Sequence, residues 1–368
     1  MNEQIFCTGC GILIQTEDEH AIGYTPPSAL KRDVVICQRC FRLKHYNEVP
    51  DMSLSDDVFI QLLESISETK ALVVNIVDIF DFNGSWIPNL HRFVGSNDVL
   101  LVGNKVDVFP RSTNQDKLRN WMWRVARELE LRPKDVFLIS AENGMGIEEL
   151  ASAIEDYRAG KDVYIVGTTN VGKSTFINQL IDTLGKQRQL ELMTSQFPGT
   201  TLNFIDIPLS DGRFLYDTPG IINHHQMAHY VDYNELKTIT PKKEIKPKVY
   251  QLDEKQTLFI GGLARIDYMG PERRSLIFYV ANALYIHRTK LENAERLYAD
   301  QVGELLVPPH DKAVDLELTR HDFDLKQEDM DVVFSGLGWV TVKGCGAQIR
   351  AYAPKGVRVS VRPSIIQG

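Results

Sequence analysis

Long apolar runs are missing from this chain. Its 368 residues contain no stretch of roughly 18 apolar side chains, so no membrane span is expected. The N-terminus, Met1-Asn2-Glu3-Gln4, lacks the basic-then-apolar order of a secretory leader, which makes a cytoplasmic protein the expectation. Cysteine is scarce, at five residues, which excludes a disulfide-built scaffold. Positive charge is not in excess either. With 41 Lys and Arg against 49 Asp and Glu, the net charge of −8 argues against coating nucleic acid over the whole surface, although local basic patches stay open. What is present is a 43% apolar fraction, enough for packed cores, in a length that suggests two or three domains.

The few cysteines are not scattered. Cys7-Thr8-Gly9-Cys10 and Cys37-Gln38-Arg39-Cys40 form two C-x-x-C pairs, and four thiolates in that pattern suit tetrahedral Zn²⁺. A redox role is the competing reading, but one such pair normally suffices for it. A full thiolate shell leaves no open position, so the ion is expected to be structural. Residues 1–50, a stretch poor in large apolar side chains, would need it to fold. Lys31, Arg32, Arg39, Arg42 and Lys44 are offset by acids in the same stretch. A structural module, a protein-docking module and an RNA contact all remain open there. Cys345 stands alone and reads as an idle or buried thiol.

From Ser53 to Ser67, Leu54, Val58, Phe59, Leu62, Leu63 and Ile66 recur at helical spacing. Strand-length apolar runs follow at Ala71–Val77, Val99–Val102 and Val136–Ile139, with a helical pattern over Gln115–Leu131. Alternating strands and helices predict a doubly wound α/β sheet, whose ligands gather at the carboxyl ends of its strands. At one such end, after Val163–Val166, lies Gly167-Thr168-Thr169-Asn170-Val171-Gly172-Lys173-Ser174, followed by a helical stretch to Leu184. Glycines let backbone N–H groups converge on phosphate oxygens, and the helix start adds its dipole. Lys173 is expected on the β- and γ-phosphates and Ser174 on Mg²⁺, with Thr175 completing the nucleotide contacts.

Two further motifs select the base. Asn104-Lys105-Val106-Asp107 follows the strand Val99–Val102. Its carboxylate can accept from both N1–H and the 2-amino group of guanine, a donor pair that adenine lacks. Lys105 would lie along base and ribose, and Asn104 would brace the loop. After Val136–Ile139, Ser140-Ala141 can offer a backbone N–H to guanine O6. Beyond the phosphate loop, Pro198-Gly199-Thr200-Thr201 and Asp217-Thr218-Pro219-Gly220 read as switch loops. Thr201, preferred over Thr200, would ligate Mg²⁺; Asp217 would hold the ion through water, and Gly220 would give its N–H to the γ-phosphate.

These elements resemble those of translation-factor-like GTPases with their order changed. The guanine motifs come first and the phosphate loop after them, as in the circularly permuted GTPases, here preceded by a Cys₄ finger. The resemblance implies GTP hydrolysis to GDP with Mg²⁺, and assembly of the small ribosomal subunit on its rRNA precursor or ribosomal proteins. In well-known small GTPases a water-orienting glutamine follows the last glycine; here Ile221 does, so intrinsic turnover should be slow. Asn170 occupies the position resembling the K⁺-coordinating asparagine of potassium-activated relatives; the plain alternative is that it only shapes the loop.

The expected domains are a finger over 1–50, a permuted GTPase over 51–222 and a mixed α/β, strand-rich module over 223–368. In the last, His224, His225 and His229 suggest a polar switch rather than a metal site. Lys237–Lys248 reads as a proline-punctuated linker or exposed edge. Runs at Thr257–Ile266, Ser275–Ile286, Asp331–Val342 and Gln348–Val361 read as β, and Lys290–Val302 as helix. From Thr341 to Gly368 the only charges are Lys343, Arg350, Lys355, Arg358 and Arg362, which suggests a basic sheet face for RNA. Two other functions fit the sequence: a switch acting on a protein effector through the finger, or an RNA-binding module with GTP as a stabilising ligand. The sequence leaves the oligomeric state undetermined.

Overall fold

The computed structural model describes residues 5, 13–19, 23–31, 35, 37–38, 53–54, 63–188, 205–218, 220–221, 223–311 and 316–366. Cys7, Cys10, Cys40, Thr200 and Thr201 lie outside these residues; Cys37 lies within them and is buried. The chain forms two compact units. Met1–Ile79, Ser85–Val106 and Met122–Ile222 make the first; Phe80–Gly84, Asp107–Trp121 and Asn223–Gly368 make the second. Among the described residues no helix is long and apolar enough to cross a membrane.

In the first unit the strands are β1 (Ser53–Leu54), β2 (Ala71–Asp78), β3 (Asp98–Asn104), β4 (Asp135–Leu138), β5 (Asp162–Val166), β6 (Ile205–Pro208), β7 (Phe214–Asp217) and β8 (Gly220–Ile221). Six of them form one sheet in the order β4-β3-β2-β5-β7-β6. All its pairs are parallel except the β6–β7 hairpin at the edge. Every residue of β2 is buried, Asn75 and Asp78 among its apolar residues, as expected of a parallel strand covered on both faces. Leu72, Val74 and Ile76 share a face with Val163 and Ile165. Against that cluster pack Leu150 and Ile154 of one helix (Ile147–Arg158) and Phe176, Ile177 and Leu180 of another (Lys173–Arg188). Parallelism puts the carboxyl ends of β3, β4, β5 and β7 on one edge, and Asn104-Lys105, Ser140-Ala141, the loop Gly167–Ser174 and Asp217 lie at those ends.

One salt link fixes the turn of the β6–β7 hairpin. The buried Arg158 guanidinium bonds Glu155 at 2.5 Å and Asp211 at 2.7 Å. The hydrogen bond from Arg158 holds the Asp211 carboxyl below its usual range. The helix expected over Ser53–Ser67 is corrected: residues 63–67 are helical, but Ser53–Leu54 pair as a strand with Gly220–Ile221. Helical spacing there coincides with a backbone pairing that no local pattern announces.

Among its described residues the second unit carries ten strands in two antiparallel sheets. They are β9 (Lys248–Leu252), β10 (Gln256–Ile260), β11 (Ala264–Tyr268), β12 (Arg274–Val280), β13 (Ile286–Lys290), β14 (Leu318–Leu325), β15 (Met330–Phe334), β16 (Gly338–Val342), β17 (Ala347–Pro354) and β18 (Val359–Pro363). One sheet runs β13-β10-β11-β17-β14 and the other β18-β15-β16-β12-β9. The orders match strand for strand when β9–β13 are laid on β14–β18, with β12 and β17 exchanged between sheets. The central hairpins are alike in detail. Thr257 Oγ1 donates to Asp267 across the first at 2.6 Å, and Thr341 Oγ1 donates to Asp331 across the second at 2.6 Å. Each carboxylate also meets a buried arginine, Arg265 in one half and Arg362 in the other. The unit is therefore built from two similar halves, a repeat in which the Thr and Asp positions are swapped.

Three readings of this unit need correction. Thr257–Ile266, Ser275–Ile286 and Gln348–Val361 each contain a turn and divide into two strands. Lys237–Lys248, expected as a linker or exposed edge, begins in a helix, Tyr233–Ile239, that opens on an Asp232/Glu235 capping box. Ile239 and Ile245 are fully buried, whereas Lys242, Lys243 and Lys246 are exposed and lead into the edge strand β9. The C-terminal basic run is largely paired with acids of β14, β15 and the residues beside them. Lys343 pairs with Asp329, Arg350 with Asp322 at 3.7 Å, Lys355 with Glu317 at 3.6 Å, and Arg362 with Asp331 in the core. Of that run, Arg358 is exposed without an ion pair among the described residues.

Candidate active site

The loop after β5 is shaped by backbone conformations that few side chains tolerate. Asn170 has φ 63° and Gly172 has φ 83°, and the helix Lys173–Arg188 starts directly afterwards. Alternating left-handed residues turn successive N–H groups inward, a concavity suited to anions. Gly167 and Gly172 are required for space as well. A Cβ on Gly167 would stand 2.7 Å from the Ile76 carbonyl oxygen, and one on Gly172 would stand 2.5 Å from Asn104 Nδ2. Gly172→Ala is therefore expected to cost about 1–3 kcal/mol in stability and to weaken GDP binding. Thermal melts and nucleotide titration check this, and a variant with wild-type affinity would refute the assignment of strain to this glycine.

Charge at the site is buried. Lys173 and Asp217 are 2% and 4% exposed, and Lys173 Nζ lies 3.2 Å from Asp217 Oδ1. Ser174, at the first turn of the helix, is buried beside them in sequence. A lysine, a hydroxyl and a carboxylate on the carboxyl edge of a sheet form the donor set that phosphate oxygens and Mg²⁺ need. Thr218 anchors the Asp217 loop, with Oγ1 donating to the Ile165 carbonyl at 2.8 Å. Gly220 approaches closely as well: a Cβ there would sit 3.0 Å from Thr169 N.

Asn104 joins three loops. Its Nδ2 donates to the Val171 carbonyl at 2.8 Å, and its Oδ1 accepts from Ala141 N–H at 2.9 Å. The Ala141 N–H, expected on guanine O6, is thus engaged with Asn104, and O6 contact through it requires sharing or exchange of that bond. Ser140 N–H donates to the Met145 carbonyl at 3.0 Å. Lys105, with φ 69°, donates from Nζ to Asp78 Oδ2 at 2.7 Å and to the Asn170 carbonyl at 2.6 Å. Asp78 was not read from the sequence as a site residue. Its signal was present, a carboxylate at the end of a mostly apolar buried strand. Asp107 lies in the short turn Val106–Val108, two positions beyond Lys105.

The other candidate ligands stand as follows. Thr201 and three of the four cysteines are outside the described residues, so no metal geometry is available for them. Among the described residues no cluster of three or more His, Cys, Asp or Glu can hold a metal. The histidines are otherwise engaged: His225 Nδ1 is 3.1 Å from the Gly356 carbonyl and His229 Nε2 is 3.0 Å from that of Asn223. Asn170 and Thr175 are exposed on the loop and helix.

Known proteins are similar to this chain in sequence. The family described as "50S ribosome-binding GTPase" matches residues 162–257, the stretch from β5 through the Asp217 loop, and the family described as "YqeH-like, C-terminal" matches residues 273–365. YqeH of Bacillus subtilis (strain 168) is 58% identical over 366 residues, covering 99% of this chain and 100% of that one. NO-associated protein 1, chloroplastic/mitochondrial, of Arabidopsis thaliana is 32% identical, covering 92% of this chain and 69% of that one. GTPase Der of Mycoplasma mycoides subsp. mycoides SC is 27% identical over 50% of this chain and 42% of its own. The GTPase match begins at β5, whereas the guanine motifs lie before it, as a permuted order demands. The chain belongs to the YqeH family and is a GTPase whose motifs run in circularly permuted order.

Proposed function

We propose that this GTPase is a nucleotide-dependent assembly factor for the small ribosomal subunit. The observation that carries it is one of connectivity: the chain passes from Asp217–Gly220 into the second unit at Asn223. A loop that senses the γ-phosphate is thereby covalently continuous with the second unit, which suits a binding-and-release cycle. In this reading Lys173, Val171 and Gly172 hold the β- and γ-phosphates; Ser174, Thr201 and Asp217 hold Mg²⁺; Gly220 senses the γ-phosphate; and Asp107 reads the base.

RNA contact is assigned to a different part of the second unit from the neutralised C-terminal run. Lys242, Lys243 and Lys246 are exposed and have no acidic partner among the described residues. Unpaired cations give up counterions to phosphate at no internal cost. Co-sedimentation with separate small and large subunits, in GDP and in a non-hydrolysable GTP analogue across a salt series, tests the proposal. Salt-sensitive, analogue-dependent binding to the small subunit is expected. Preference for the large subunit, or no binding in either state, would overturn it, and the latter would favour a protein effector.

Two metal assignments belong to the same proposal. Zn²⁺ on Cys7, Cys10, Cys37 and Cys40 predicts one equivalent in metal analysis, and four reactive thiols with no zinc would refute it. K⁺ at Asn170 would supply positive charge in the transition state, replacing the glutamine absent at Ile221. An exposed side chain on a left-handed residue of the loop supports it. Equal GTPase rates in KCl and NaCl would refute it.

A further inference from the structure

A carboxylate that reads a base must be held to within a few tenths of an ångström, because its hydrogen bonds are directional. Asp107 sits half-buried in a three-residue turn, and among the described residues its side chain has no hydrogen-bond or ion-pair partner. Its backbone is held on both sides: before it, Val106 N–H donates to the Ile139 carbonyl at 3.1 Å, and the chain directly after it is anchored elsewhere. Asp107–Trp121 belongs to the second unit together with Asn223–Gly368.

Inside that unit the anchors are specific. The carbonyl of Val108, the next residue, accepts from Ile245 N–H at 2.8 Å. Val108 and Phe109 are 3% and 4% exposed, and the Phe109 ring packs on Trp339 at 5.6 Å between centroids. Arg111 is held twice by Glu244: its backbone N–H donates to Oε1 at 2.9 Å, and its guanidinium meets Oε2 at 3.1 Å. At the far end of the segment the Trp121 ring lies 5.2 Å from the Arg362 guanidinium, which also faces Trp339 at 5.4 Å. Arg362 is in turn bound to Asp331, the swapped carboxylate of the second half of the repeat. A local turn would need none of these. They join the residue after Asp107 to the segment leading into β9 and to the central hairpin β15–β16.

We infer that the C-terminal unit positions Asp107, so that Trp339, Glu244 and the Ile245 backbone set guanine selectivity without touching the nucleotide. The inference rests on the reading of Asp107 as the base-recognising carboxylate. It makes selectivity a property of residues more than a hundred positions away in the sequence, and it works in both directions. A partner that displaces the Lys242–Lys246 stretch would move Ile245, and with it the affinity for guanine nucleotide.

The readout is the affinity ratio of GDP to IDP, measured by calorimetry on the full chain in Mg²⁺ buffer. Inosine lacks the 2-amino group, so the ratio isolates the contact made by the carboxylate, whereas a general loss of stability weakens both nucleotides alike. Wild type is expected to prefer GDP by about tenfold or more, and Asp107→Ala to lose that preference. Trp339→Leu should lower the ratio about three- to tenfold with little change in IDP affinity, and Trp339→Phe should restore most of it. Glu244→Ala, at a partly exposed site, should lower the ratio in the same direction and decides the matter if Trp339→Leu does not fold. Wild-type ratios in folded Trp339→Leu or Glu244→Ala, alongside loss in Asp107→Ala, would overturn the positioning role alone. An unchanged ratio in Asp107→Ala would overturn the base-reading assignment and this inference with it.

Discussion

Lys173→Ala is expected to lower kcat/KM for GTP by about a thousandfold or more and to destabilise the nucleotide-free protein by about 3–5 kcal/mol. The two losses have different origins. Catalysis loses the only lysine of the phosphate loop. Stability is lost because Asp217, 4% exposed and 3.2 Å from Lys173 Nζ, would lose this ion pair while its charge stays buried. The double variant Lys173→Met with Asp217→Asn separates them. It removes both charges at nearly constant volume, so thermal stability should return while turnover stays absent. Melting curves with and without GTP add a third check, since nucleotide raises wild-type stability by mass action and should not raise that of Lys173→Ala. Turnover within tenfold of wild type in Lys173→Ala would refute the phosphate assignment. Unchanged stability would refute the energetic reading of the buried pair.

The legible part of this protein was the part whose pattern is local. Apolar runs ending in Val102, Ile139 and Val166 announced buried parallel strands, and the guanine motifs and the phosphate loop followed them. The structure adds what connects these motifs. Asn104 bonds to both Val171 and Ala141, and Lys105 to both Asp78 and Asn170; these contacts span distant stretches of chain and leave no periodicity behind. The charge run at the C-terminus misled for the same reason. Lys343, Arg350, Lys355 and Arg362 look unopposed along the sequence, but antiparallel pairing brings Asp329, Asp322, Glu317 and Asp331 to them. The repeat in the second unit was hidden because its halves conserve hairpin geometry and a Thr–Asp pair rather than residue order. The exchange of β12 and β17 between sheets has no local trace at all.

Asp107→Asn should change which nucleotide is used rather than whether one is used. A carboxylate presents only acceptors, matching the N1–H and 2-amino donors of guanine; the carboxamide presents one acceptor and one donor, so its N–H₂ faces a donor. Losing one charge-assisted bond and opposing another costs about 3 kcal/mol, and GTP affinity should fall about a hundredfold. Xanthine carries a carbonyl at the same ring position and accepts from that N–H₂, so XTP should gain what GTP loses. The phosphate contacts are unaltered, and kcat with saturating XTP should therefore approach the wild-type value with GTP. Titration with both triphosphates and turnover under saturation measure this. GTP preference retained in Asp107→Asn would show that the carboxylate is not at the base. An equal loss for both nucleotides would mean that the substitution collapses the turn Val106–Val108 instead of re-reading the base. The prediction separates cleanly because the base and phosphate halves of the site lie on different strands. Asp107 follows β3, while Lys173 follows β5, and the bonds between those two loops run through Asn104 and Lys105, which Asp107→Asn leaves in place.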